Sequence, residues 1–324
     1  MAPARVIDAE LLLSRSRRPL VLGIGGGGDV VGALATAEAC RVRGAEPVVG
    51  GVTWERRPID PQPGPRAEAE IEGARRLAPG VLAASASTRV RESGVLFAES
   101  RMAEVLGEET VLVDATLGPT QLADGLAAAA EVLGSDLIVF VDVGGDALAH
   151  GDEPGLASPL CDAIMLAAAA RLAERGSPVL GGIFGIGCDG ELTPTEVLAR
   201  LAEVGAAGGL AGAWGLTPAV VQRLEHAVRV VPTEASAQAL RCFHGELGRA
   251  EIRAGRRAVE LSPAGALTFY FDPLAALGSA ARLAAAVIDA PDLDAANEIL
   301  HGMGVRTELD YERDALHTVR QPSN

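Results

Sequence analysis

The sequence predicts a doubly wound α/β fold, a mostly parallel sheet with helices on both faces. Three observations carry that expectation. Short apolar runs alternate with longer Ala-rich stretches of helical period, the rhythm of β-α-β units. Several of these runs end in clusters of Gly and Asp. Hydrophobic residues make up 48% of the chain and aromatic ones only 3%, so Ala, Val and Leu must fill the core, as in sheets covered on both sides.

The first unit is a strand over residues 19–24, a helix over 30–42 and a strand over 47–52. Such crossovers join parallel strands with a right-handed sense. Strand 110–113, helix 121–133 and strand 137–141 repeat the pattern, and helix 163–174 and strand 178–184 extend it. Two segments break the rhythm. Residues 54–66, WERRPIDPQPGPR, hold four prolines and read as a long ordered loop, a kind that often carries function in compact domains. Residues 250–271 read as a small antiparallel excursion, EIRAGRRAVEL and ALTFYF around turns at Ala254-Gly255 and Pro263-Ala264-Gly265. Helices return over 273–303. No linker divides the chain, so one α/β domain over 1–324 is expected, with a C-terminal subregion at 233–324.

A chain of 324 residues can bury a sizeable core without disulfides or metal. Its 28 basic and 43 acidic residues leave a net charge of −15, which argues against nucleic acid or an anionic membrane as partner. A local cluster of arginines could still bind an anion. Cys40, Cys161, Cys188 and Cys242 form no C-x-x-C pair and read as reduced and mostly buried. The first residues lack the pattern of a signal peptide, and no run of about 20 apolar residues is present. The expected address is the cytoplasm and the expected partner a small-molecule substrate, with homo-oligomerisation left open.

Chemistry concentrates in three loops, each following a strand. The first is GIGGGGD, Gly23 to Asp29. Gly23, Gly25 and Gly28 fit the G-x-G-x-x-G dinucleotide spacing, and the backbone of Gly25, Gly26, Gly27 and Gly28 could hold an anion at a helix start. Gly50 and Gly51 stand where a dinucleotide site wants an acid for the ribose, and Asp29 would repel a pyrophosphate. In the plainer reading Asp29 caps the helix. The second loop is VDVGGD, in which Asp142 and Asp146 flank Gly144 and Gly145 and could bind Mg²⁺; the plain alternative is a tight turn. The third is GIFGIGCDGEL, with Asp189 and Glu191. Three such loops fall where open α/β sheets bind ligands. Ser158 before Pro159 reads as a helix cap. Arg56, Arg57 and Arg66 in the proline loop could clamp a carboxylate or phosphate, though loop arginines are more often just solvated. His244 and His301 read first as structural. Serine-hydrolase, zincin and P-loop patterns are absent.

In their order along the chain, GIGGGGDVVGA, WER…DPQPGPR, LGSDLIVFVDVGGD, GLASPLCD and TELDYER resemble the prokaryotic family catalogued as domain of unknown function 1152. The resemblance spans nearly the whole chain and implies a Rossmann-like fold but no settled reaction. It implies that Asp29, Trp54, Glu55, Arg56, Asp142, Asp146, Asp189 and Glu308 belong to one site.

The leading expectation is a metabolic enzyme with an acid- and Gly-rich cleft, acting on a phosphorylated, sugar-like or amino-acid-like substrate with Mg²⁺. Asp142 and Asp146 would hold the metal, and Asp29 or Asp189 would act as general base. The glycine loop, Gly144, Gly145, Trp54, Glu55, Arg56, Arg66 and Glu308 would bind substrate. Hydrolase, lyase and cyclase chemistry all suit such a site. An NAD(P)- or flavin-binding oxidoreductase is the runner-up. A non-catalytic ligand sensor or assembly subunit is the third reading.

Overall fold

The structure is a computed structural model and describes residues 7–320. Eleven strands run in order: β1 (Pro19–Gly23), β2 (Val48–Val52), β3 (Ile71–Ala78), β4 (Val81–Val90), β5 (Thr110–Val113) and β6 (Leu137–Val143). They continue with β7 (Val179–Phe184), β8 (Leu210–Gly215), β9 (Gly248–Ile252), β10 (Arg257–Leu261) and β11 (Leu267–Phe271). The helices are α1 (Ala9–Arg15), α2 (Asp29–Val42), α3 (Ala98–Leu106), α4 (Pro119–Leu133), α5 (Pro159–Glu174) and α6 (Pro194–Ala206). After them come α7 (Pro218–Val230), α8 (Ala235–Phe243), α9 (Pro273–Leu277), α10 (Arg282–Val287), α11 (Leu293–Gly302) and α12 (Glu308–Arg320).

Nine strands form one sheet in the order β3-β4-β5-β2-β1-β6-β7-β11-β8. Its centre, β5-β2-β1-β6-β7, is parallel throughout. These strands are buried on both faces and so read as continuous apolar runs. Alternation along each strand feeds two cores. Leu22, Phe140 and Ile183 face the helices α4, α5, α10 and α11, while Val21, Val139, Val141 and Phe184 face α2, α7 and α8. A side chain such as Phe140, fully enclosed, contributes about 2–3 kcal/mol by burial. Helix α5 is apolar on all sides, and α4, α9, α10 and α11 all pack on it. Among the described residues no helix is long and apolar enough to cross a membrane. All four cysteines are buried and none forms a disulfide.

Three features depart from the sequence reading. The hairpin β3–β4 joins the sheet antiparallel beside β5, and β8 closes the other edge. The excursion at 250–271 is split: β9 and β10 form their own two-stranded sheet, whereas β11 enters the main sheet antiparallel between β7 and β8. Ser158 does occupy the cap position before Pro159, but its hydroxyl donates to Glu191 and leaves the helix end uncapped by it.

Leaving β1 the chain turns to β2 on one side, and β6 lies on the other. The order of strands therefore reverses between β1 and β6. Their carboxyl ends open the crevice where sheets of this design place ligands.

Candidate functional site

Asp142 is the sixth residue of β6, on the face shared by Ile138 and Phe140, and so points toward the start of α5. One of its oxygens accepts from the Ala147 amide at 3.0 Å. Asp29 opens α2, and Asp162 lies in the first turn of α5. Carboxylate oxygens of Asp29, Asp142 and Asp162 come within 4.8 Å of one another. A second set, Asp146, Asp189 and Glu191, is equally close. Gly144 lets the two sets meet: its φ is 128°, and a Cβ there would collide with the Asp189 carboxylate. Gly145 packs on Val197 and positions the turn that carries Asp146.

Four of these aspartates are buried. Asp142, Asp146, Asp162 and Asp189 are 1%, 5%, 2% and 7% exposed. Asp162 Oδ1 and Asp189 Oδ1 are buried without a hydrogen-bond partner. Burial and the neighbouring acids push Asp142, Asp146 and Asp162 well above the ordinary aspartate range. Burial also lifts Asp189 to about 8, with Glu191 adding to the effect. Asp29 is half-buried, and burial raises it to about 7 although the Gly25 amide, donating at 2.9 Å, opposes the shift. Glu191 goes the other way. Burial opposes its charge, but Arg257, Ser158 and the amides of Ala157 and Ser158 together hold it below the usual glutamate value.

The glycine loop is occupied by protein. Gly26 takes φ 81°, and a Cβ there would press on the Trp54 carbonyl. The Gly27 amide donates to that carbonyl at 2.8 Å, and Gly28 lies against Thr233. With the Gly25 amide turned to Asp29, two of the four loop amides expected to hold an anion are engaged inside the chain. Asp29 is the first helical residue, not the cap; the cap position is Gly28. Arg56 stacks on the Trp54 ring at 4.3 Å and donates to the Gly25 carbonyl and to Glu308 Oε1 at 3.2 Å. Glu308 in turn accepts from the Leu160 and Cys161 amides at the start of α5, both at 3.0 Å. Buried Trp54 donates to Glu312.

The structure thus brings Asp29, Asp142, Asp146, Asp189, Arg56 and Glu308 to one place, with Trp54 beneath. Glu55 is one layer away: buried, it accepts from the Ala98 amide and stands near Glu99. Arg66 does not reach the cluster. It is buried against Asp60 at 2.9 Å, and its remaining donors are turned to Gln62 and Pro63 in its own loop. His244 and His301 bond surface carboxylates on Glu225 and Asp310. Sequence reasoning passed over Asp162 and the two arginines of the β9–β10 hairpin. Arg257 lies 2.9 Å from Glu191, Arg253 lies 3.8 Å from the same Glu191 carboxylate, and the hairpin backbone abuts the 187–190 turn. With that hairpin and α12 against it, most of the cluster is buried rather than lining the expected open cleft. Its rim is Gly25, Asp29, Arg56, Arg253 and Arg257. An open hollow of about 380 Å³ lies elsewhere, at His301 and Arg306.

Fold and site define a doubly wound α/β protein with a buried carboxylate cluster at its topological switch point. The family model described as "Protein of unknown function (DUF1152)" matches residues 20–316, and the chain belongs to that family. No curated protein and no solved structure matches it.

Proposed function

We propose that this protein is a divalent-cation-dependent enzyme of hydrolase or lyase type, acting on a small anionic substrate, above all a phosphorylated one. The observation that carries this reading is the pair of buried, partnerless oxygens on Asp162 and Asp189 within a group of clustered acids. An ionised carboxylate taken out of water needs a partner, and five such groups around one point repel one another as well. Either protons or a cation must relieve them. Hard oxygen donors of this kind suit Mg²⁺ or Mn²⁺. Such an ion would polarise a substrate oxygen and lower the pKa of a bound water. Asp29, the least buried acid of the group, is the residue we assign to proton transfer, since a pKa of about 7 matches the working range of a general base. Arg253, and to a lesser degree the more buried Arg56, favour an anionic group on the substrate. The buried, acid-lined interior favours this reading over a dinucleotide, because Trp54 and Arg56 already cover the glycine loop.

The test is thermal unfolding of EDTA-treated protein with added Mg²⁺ or Mn²⁺, joined to a screen of phosphorylated metabolites for turnover. An ion at 100 times its dissociation constant adds about 2.7 kcal/mol of stability, a plain rise in melting temperature. The rise should be clearly smaller in Asp142→Asn. An unchanged midpoint at millimolar metal would overturn the proposal, and binding of substrate without turnover would favour a sensor.

A further inference from the structure

We infer that the cluster is a two-ion centre, with adjacent cation positions built from different loops. The inference rests on the cation-dependent reading above and sharpens it.

The acids divide by geometry. Asp29, Asp142 and Asp162 converge from the start of α2, the end of β6 and the first turn of α5. Asp146, Asp189 and Glu191 converge from the loops after β6 and β7. Each set contains one buried carboxylate oxygen with no partner, Asp162 Oδ1 in the first and Asp189 Oδ1 in the second. The two oxygens belong to different sets, so an ion in each set would satisfy both.

Charge points the same way. Glu191 is already matched by Arg257, the Ser158 hydroxyl and two amides. Five aspartates remain: Asp29, Asp142, Asp146, Asp162 and Asp189. One dication would leave three negative charges in a buried interior, where desolvation makes each expensive. Two dications would leave one, a balance that a substrate or bound water completes.

The loop between the sets is shaped for this. Gly144 removes the side chain that would otherwise stand where the Asp189 carboxylate lies. Asp142 and Asp162 then serve as ligands of the first ion, with Asp29 holding its bound water. Asp146 and Asp189 ligate the second, beside Glu191. Paired ions of this kind clamp the oxygens of a transferring phosphoryl group, so phosphate esters are the substrate class to try first.

The experiment is a Mn²⁺ titration of the metal-free full-length chain, followed by calorimetry and by metal analysis after desalting. The expected result is two ions per chain and an exchange-coupled Mn²⁺ resonance spectrum. Asp162→Asn and Asp189→Asn should each bind one ion and lose the coupled signal; a melting curve for each variant establishes that it is folded, and Asp146→Asn replaces Asp189→Asn if that chain does not fold. One ion per parent chain would overturn the two-ion centre while leaving the cation-dependent enzyme intact. No ion at millimolar Mn²⁺ would overturn both.

Discussion

Asp146 is enclosed by other acids, and Asp162 and Asp142 raise its proton affinity further after burial has done most. It is the first residue of a short helical turn whose cap position is Gly145, so it is not the cap. Replacing it with Asn keeps the shape and removes the cost of burying an ionisable acid among other acids. In metal-free protein Asp146→Asn should therefore melt at or above the parent temperature. Its affinity for Mn²⁺ should fall at least tenfold, about 1.4 kcal/mol, because a charged donor is lost. Calorimetry and melting of the same sample check both halves, and a variant that binds like the parent would move the site away from Asp146. At this scale the sequence was readable where an acid stands near the carboxyl end of a strand or in the loop after it, as at Asp142 and Asp189. It was not readable at Asp162, because an acid in the first turn of a helix reads as an ordinary partner of the helix dipole. Arg66 misled for a related reason: a loop arginine looks free until its partner Asp60, six residues earlier, is seen folded back onto it.

Helix α12 is tied to the rest through its acids. Glu308 receives two amides at the start of α5 and the Arg56 guanidinium, while Glu312 receives Trp54 and the Gly64 amide. Glu308→Ala leaves two buried amides and a guanidinium short of an acceptor. It should cost about 2–3 kcal/mol in urea unfolding, and Glu308→Gln, which keeps an acceptor, clearly less. Equal stability of the Ala variant and parent would mean that α12 is not what closes the start of α5. The parallel centre of the sheet was legible because a strand buried on both faces leaves an unbroken apolar run. Its edges were not. In β3 the sequence IEGARRLA carries bulges and charges that spoil a two-residue period, and β8 is mostly exposed. Strand β11 has the right pattern, but nothing local says that it skips β10 and inserts beside β7.

For the molecule as a whole, the raised acids make the metal-free fold sensitive to alkali. Asp189 binds its proton up to about pH 8 when folded, against an ordinary value of 3.8. The folded chain thus holds more protons than the unfolded one between these limits, so stability must fall as pH rises through that window. The slope is about 1.4 kcal/mol per pH unit for each such group. Asp29 acts in the same sense up to about 7. Groups with lowered pKa, such as Glu191 and Asp310, have the opposite effect, but only below the ordinary carboxylate range. Urea unfolding in EDTA at pH 5.5, 6.5 and 7.5 should show a steady loss, and saturating Mn²⁺ should flatten it. A metal-free fold equally stable at all three would count against the clustered acids as drawn.

The β9–β10 hairpin stands outside the main sheet, yet it delivers Arg253 and Arg257 to the rim. The acids come from a strand end, two helix starts and the loops of the main sheet, whereas these arginines come from a separate two-stranded hairpin. Inheritance can act on the two separately. On the proposed function, drift in residues 248–261 would change which anion is admitted while the carboxylate frame stays fixed, and relatives that share the acids would then differ in substrate.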